Sequence, residues 1–195
     1  MKERSILMTA PMVLATLNGQ KTQTRRLVKP AVSCPYGKKG DLLYVRETWK
    51  YCDWTEDGIP FIEYAADGTK LLRDYPEDLA DDVQDVWAAL SANDNYKIDG
   101  RAADRKWRPA IHMPKWAARI WLEITDVRME RVNDISEADS VREGVAQIAH
   151  EHPDMSPREL FQLLFSSIYP NAWVLNHLVW AIGFRRIDRT VGAAA

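Results

Sequence analysis

Acid is missing from the start of this chain. Between Arg4 and Gly40 there is no aspartate or glutamate, while Arg4, Lys21, Arg25, Arg26, Lys29, Lys38 and Lys39 are basic. A segment of that charge can face phosphate without repulsion. Cysteine is scarce too: Cys34 and Cys52 form no metal-type pair, and a reducing compartment asks no disulfide of them. No apolar run approaches the roughly 20 residues of a membrane span. The N-terminus lacks an apolar stretch followed by a small-residue cleavage site, so the expected location is the cytoplasm. There is no Walker A loop and no Gly-x-Gly-x-x-Gly, which leaves a nucleotide-phosphate cofactor fold unsupported. His150 and His152 have neither a cysteine nor a third histidine at ligand spacing, so no metal and no cofactor is expected.

What is present is ordinary globular composition, 46% apolar and 28% charged over 195 residues, enough for one well-buried domain. The net charge of −2 hides an asymmetry. Residues 53–104 hold the acids Asp74, Glu77, Asp78, Asp81, Asp82 and Asp85 among others, against only Lys70, Arg73, Lys97 and Arg101. This middle stretch reads as an acidic insertion at about 51–106, with an amphipathic helix over Leu79–Leu90. Around it the periodicities predict a helix within Ile6–Leu17, with Thr9 as N-cap and Gly19 past its end. They predict strands at Leu42–Val45 and Phe61–Ala65, and another from Arg119 toward Met129. Capping boxes at Asp134–Glu137 and Ser156–Glu159 open two helices, the first stopping at Gly144. A strand over Leu178–Ile187 closes the order. The whole is an α+β domain around a small sheet or barrel rather than a doubly wound parallel sheet.

The most informative run is Gly19-Gln20-Lys21-Thr22-Gln23-Thr24-Arg25-Arg26. A threonine hydroxyl is a weak nucleophile until a base activates it. A lysine can be that base when burial or cationic neighbours lower its pKa, as in Ser-Lys dyads. The same groups can equally hold a phosphate, or form a solvated basic turn.

These residues carry a resemblance. The run Leu17–Arg26, the Gly40-Asp41 turn with Val45–Trp49, the proline-fixed loop Trp107–Trp116 and the terminal Val179–Arg186 strand are similar to the ASCH domain family, a PUA-like β-barrel group, and to its long prophage-type members. The resemblance implies a single domain over 1–195: a small PUA-like β-barrel flanked by helices, with a cleft for a nucleobase, a nucleoside or single-stranded nucleic acid. Small bacterial members are amidohydrolases that remove acetyl from N4-acetylcytidine with a lysine, a threonine and a glutamate. Those roles fall on Lys21, Thr24 and, through the segment Val132–Glu137 leading into the next helix, on Glu143. The compact members have no counterpart of the 51–106 insertion.

Two functions follow as expectations. One is an amide hydrolase acting on an acylated base through Lys21, Thr24 and Glu143. The other is a non-catalytic module that binds RNA or a modified base. Arg25, Arg26, Arg46, Glu47, Trp49, His112 and Trp116 are the expected ligand contacts in either case, although the tryptophans read first as core or loop anchors and His112 first as a structural histidine. A third expectation is nucleic-acid mimicry toward a host protein by the acid run Asp74–Asp85.

Overall fold

The structure is a computed structural model that describes residues 1–29, 33–54, 59–73, 75, 77–81, 83–85, 88, 97–98, 101–102 and 106–189. The chain divides into two compact units, one of residues 1–45 with 119–188, the other of 46–118 with 189–195.

The first unit begins with strand β1 (Glu3–Leu7) and helix α1 (Ala10–Leu17). Thr9 stands at the N-cap with extended backbone but no side-chain cap bond, and Pro11 lies in the first turn, where a missing N–H costs nothing. The helix starts after Thr9 and ends at Leu17 as expected, while Ile6, at the head of that stretch, belongs to β1, where it is buried. The run after Gly19 is a strand, β2 (Gln23–Leu27), and β3 follows at Leu42–Arg46.

The second unit holds β4 (Trp49–Trp54), β5 (Pro60–Tyr64) and β6 (Lys70–Leu72) as an antiparallel sheet, and the two-residue strands β7 (Lys97–Ile98) and β8 (Arg101–Ala102) as a pair. Of the helix expected over Leu79–Leu90, described residues 80–81, 83–85 and 88 are helical; residues 82, 86–87 and 89–90, and the acid Asp74 before them, lie outside the described residues. Trp49, Tyr51, Ile62, Tyr64, Val83, Met113, Trp116 and Ala117 form this unit's core.

The chain returns to the first unit through β9 (Trp121–Arg131), α2 (Glu137–Arg142), α3 (Pro157–Ile168) and β10 (Leu178–Ile187). The strand order is β1-β3-β9-β10-β2, antiparallel at β3/β9, β9/β10 and β10/β2. The α+β class holds. Among the described residues no ladder joins β1 to β2, so backbone pairing leaves this an open sheet rather than a closed barrel.

Both predicted helix starts exist, one shifted. Ser156 and Glu159 make both arms of a capping box, Glu159 N–H to Ser156 Oγ at 3.3 Å and Ser156 N–H to Glu159 Oε2 at 2.7 Å. At the earlier helix the cap is Ser136 rather than Asp134: Asp139 N–H donates to Ser136 Oγ at 3.1 Å. Val132–Asp134 forms a 3-10 turn first, which displaces the start by two residues. The helix stops as expected, with Gly144 at φ +83° just past Glu143. Val132, Ile135, Val145, Leu160, Phe161, Phe165, Ala172 and Val179 pack the helices on the sheet.

Candidate functional site

The site is set by the period of a strand. Side chains alternate across β2, and Lys21 just before it continues the alternation, so Lys21, Gln23 and Arg25 share one side while Thr24 and Arg26 share the other. The first side meets the C-terminal end of α2. Lys21 and Glu143 form an isolated antiparallel bridge, and Thr22 N–H donates to Arg142 O at 2.9 Å. This approach needs Gly144: a Cβ there would stand 2.7 Å from Ala15 Cβ and 3.0 Å from Lys21 Cβ.

The Lys21 ammonium, with its side chain 3% exposed, donates to Glu143 Oε2 at 2.9 Å and to the Glu143 carbonyl at 2.7 Å. Arg25 takes the other carboxylate oxygen, Nη1 to Glu143 Oε1 at 3.0 Å. It also donates through Nη2 to Asp139 Oδ2 at 3.0 Å and through Nε to Glu130 Oε1 at 2.7 Å. Arg128 links the last two, reaching Glu130 Oε2 at 2.8 Å and Asp139 Oδ2 at 2.6 Å. Gln23 Nε2 donates to the Asp139 carbonyl at 2.7 Å. Three cations, Lys21, Arg25 and Arg128, thus face three carboxylates, Glu130, Asp139 and Glu143, in a partly buried network of balanced charge.

The electrostatics follow the geometry. Burial pulls the Lys21 pKa below the ordinary lysine value, against the opposing pull of the Glu143 charge and hydrogen bond. At Asp139 burial works upward, yet the hydrogen bond and charge of Arg25, with the charge of Arg128, hold its carboxyl below the usual range. A lysine with a lowered pKa gives up its proton more readily than an ordinary one, and perturbed groups of this kind mark functional sites more often than chance.

Thr24 stands apart. It is 1% exposed, and its Oγ accepts a hydrogen bond from Arg26 Nη1 at 2.9 Å. Arg26 also donates to the Leu7 carbonyl at 2.8 Å and the Arg25 carbonyl at 3.2 Å. No hydrogen bond joins Lys21 to Thr24 among the described residues, because a spacing of three along an extended chain puts the two on opposite sides. Of the expected trio, the fold brings Lys21 and Glu143 together and leaves Thr24 with Arg26.

The other expected contacts lie in the second unit. Arg46 Nε donates to the Met113 carbonyl at 2.7 Å, and Glu47 is buried with its backbone N–H on Met113 Sδ at 3.3 Å. Trp49 and Trp116, 2% and 6% exposed, pack edge to face with centroids 6.5 Å apart. They are core anchors and present no open ring to a base, a correction to their expected role. His112 is exposed in a 3-10 turn over Ala110–His112.

Gln23, Arg128, Glu130 and Asp139 are missing from the residues expected from sequence. One signal pointed to Arg128 and Glu130: Asp126, Arg128 and Glu130 alternate charges on one side of β9, which the structure sets directly opposite Gly183, Ala181 and Val179 of β10, and these in turn pair with Gln23, Arg25 and Leu27.

No family profile matches the chain, and no curated protein does. Two solved structures are similar to it. One is an ASCH domain from Lactobacillus crispatus, 12% identical, covering 95% of this chain and 79% of that one with a TM-score of 0.43. The other is a DUF984 protein from Enterococcus faecalis, 11% identical, covering 100% and 86% with a TM-score of 0.42. A likeness this distant assigns neither a residue role nor a ligand to the chain.

Proposed function

We propose that this protein is directed at a nucleoside or nucleic acid and hydrolyses an amide on an acylated base, with Lys21 and Glu143 as its acid–base pair. N4-acetylcytidine is the substrate that the motif resemblance names. One observation carries the reading: the Lys21 ammonium is buried 2.9 Å from Glu143 Oε2, and burial lowers its pKa. In this scheme the neutral Lys21 amine takes a proton from water as the oxygen adds to the acyl carbon. The C–N bond then breaks, and Lys21 returns the proton to the departing amine, releasing acetate and cytidine. Arg25, bonded to Glu143 Oε1, holds the carboxylate with its other oxygen, Oε2, on Lys21.

A second reading, a non-catalytic binding module, draws on Thr24. Its hydroxyl is held by Arg26, and among the described residues no hydrogen bond joins it to Lys21. Acetate release from N4-acetylcytidine separates the two. The hydrolase reading expects turnover by the wild type and a loss of at least about 100-fold in Lys21→Ala and Glu143→Ala. Thr24→Ala reports whether the hydroxyl also reacts. Saturable, salt-dependent binding of RNA without any acetate would leave the module reading in its place.

A further inference from the structure

Trp107 and Trp116 of the loop at 106–117 and Trp49 of β4 differ in exposure in a way the motif resemblance does not provide. Trp116 is buried, Trp49 across the bridge is buried, and Trp107 is 45% exposed. Trp107 is held on a firm base. Its neighbour Arg108 is bridged to Trp49 through both backbone groups, N–H to O at 2.7 Å one way and 3.2 Å the other. The Arg108 guanidinium lies over the Trp49 and Tyr51 rings, 5.5 Å and 5.2 Å from their centroids. Pro109 and Pro114 each lead into a 3-10 turn, which removes most of the loop's remaining freedom.

A lysine lies over the exposed ring. Lys50 Nζ sits 4.3 Å from the Trp107 centroid while pairing with Glu63 at 3.1 Å. The stretch from Arg105 to Leu122 is a second segment without a single acid, and it carries Arg105, Lys106, Arg108, Lys115 and Arg119. An exposed aromatic ring on a rigid support, set in an acid-free basic segment, is the combination that stacks a base and follows a phosphate backbone. A protein partner of ordinary surface chemistry has no equal match to it, since the charge selects a polyanion and the ring a flat π-face.

We propose that Trp107, with Lys50 and Arg108, is a stacking platform for single-stranded nucleic acid on the second unit. The platform rests only on the nucleic-acid part of the proposed function and not on hydrolysis.

Anisotropy of a labelled twelve-nucleotide oligouridylate tests it. The wild type should bind with a Kd that rises steeply with salt, and Trp107→Ala should weaken binding by about 5- to 150-fold. Trp107→Tyr should restore most of the affinity, and Lys50→Ala should lower the slope of log K against log salt. Thermal melts of each variant guard against misfolding, which an exposed side chain should not cause. No oligonucleotide binding by the wild type, or unchanged affinity in Trp107→Ala, overturns the platform, as does equal Trp107-dependent binding of free cytidine. Acetate release without oligonucleotide binding would leave hydrolysis standing and the platform refuted; oligonucleotide binding that depends on Trp107 without acetate release would do the reverse.

Discussion

At the scale of single residues, the balance of charge around Arg25 decides what each substitution costs. Arg25 donates to three carboxylates, whereas Lys21 donates to one that Arg25 also holds. Removing one partner of a buried pair strands the other, at about 3–5 kcal/mol. Arg25→Met leaves three carboxylates to Lys21 and Arg128 and loses a bond to each, whereas Lys21→Met loses a bond to Glu143 alone, so Arg25→Met should approach that order and cost more than Lys21→Met. Urea unfolding of the two variants checks the ranking, and equal losses would contradict it. The same lysine sets a pH dependence. Its folded pKa is depressed by burial, so the neutral base is populated at lower pH than for an ordinary lysine near 10.4. If it is the base, kcat/KM should rise with pH through that depressed value, and Lys21→Arg, which stays protonated, should be inactive across the range. A flat profile in the wild type would remove Lys21 from the proton transfer.

At the scale of elements, caps and one glycine do the positioning. Gly144 combines φ +83° with backbone pressed on Ala15 and Lys21, so Gly144→Ala is strained in conformation and in space at once. It should cost about 1–3 kcal/mol and push Glu143 away from Lys21, read as a loss of activity together with a lower melting temperature. Ser156→Ala removes one arm of the capping box at α3 and should cost about 1 kcal/mol, with activity unchanged because α3 supplies no group to the Lys21–Glu143 pair. Elements were the level most open to sequence reading. The capping box at Ser156, the stop at Gly144 and the apolar alternation of β10 each depend on a few adjacent residues, and each was found. β2 was not, because a strand made of Gln, Thr and Arg has no apolar alternation to betray it. Its burial comes from ion pairs with residues more than 100 positions away.

At the scale of the whole molecule, carboxylates held below their ordinary pKa make the fold sensitive to acid. Asp41 is lowered first by the backbone N–H of Lys2 and then by Lys38 and Arg4, and Asp139 by Arg25 and Arg128 against its burial. A depressed carboxylate contributes stability that is complete above the unfolded value near 3.9 and is lost as pH falls through the lower folded value. The urea midpoint should hold from pH 7 to about 4 and drop below it, less steeply in Asp139→Asn, which starts from a lower midpoint. Local sequence alone determined the cap at Ser156 and the stop at Gly144, where the acids and bases lie, and that Lys21, Thr24 and two arginines come close along the chain. Only the tertiary structure decided which of them meet. The two-residue period of β2 sends Lys21 and Arg25 to one side and Thr24 to the other, and Glu143 reaches Lys21 from 122 residues away. It also decided that Trp107, rather than Trp49 or Trp116, keeps an exposed ring. A charge or a ring is legible in one residue, while its partner depends on how distant strands and helices pack.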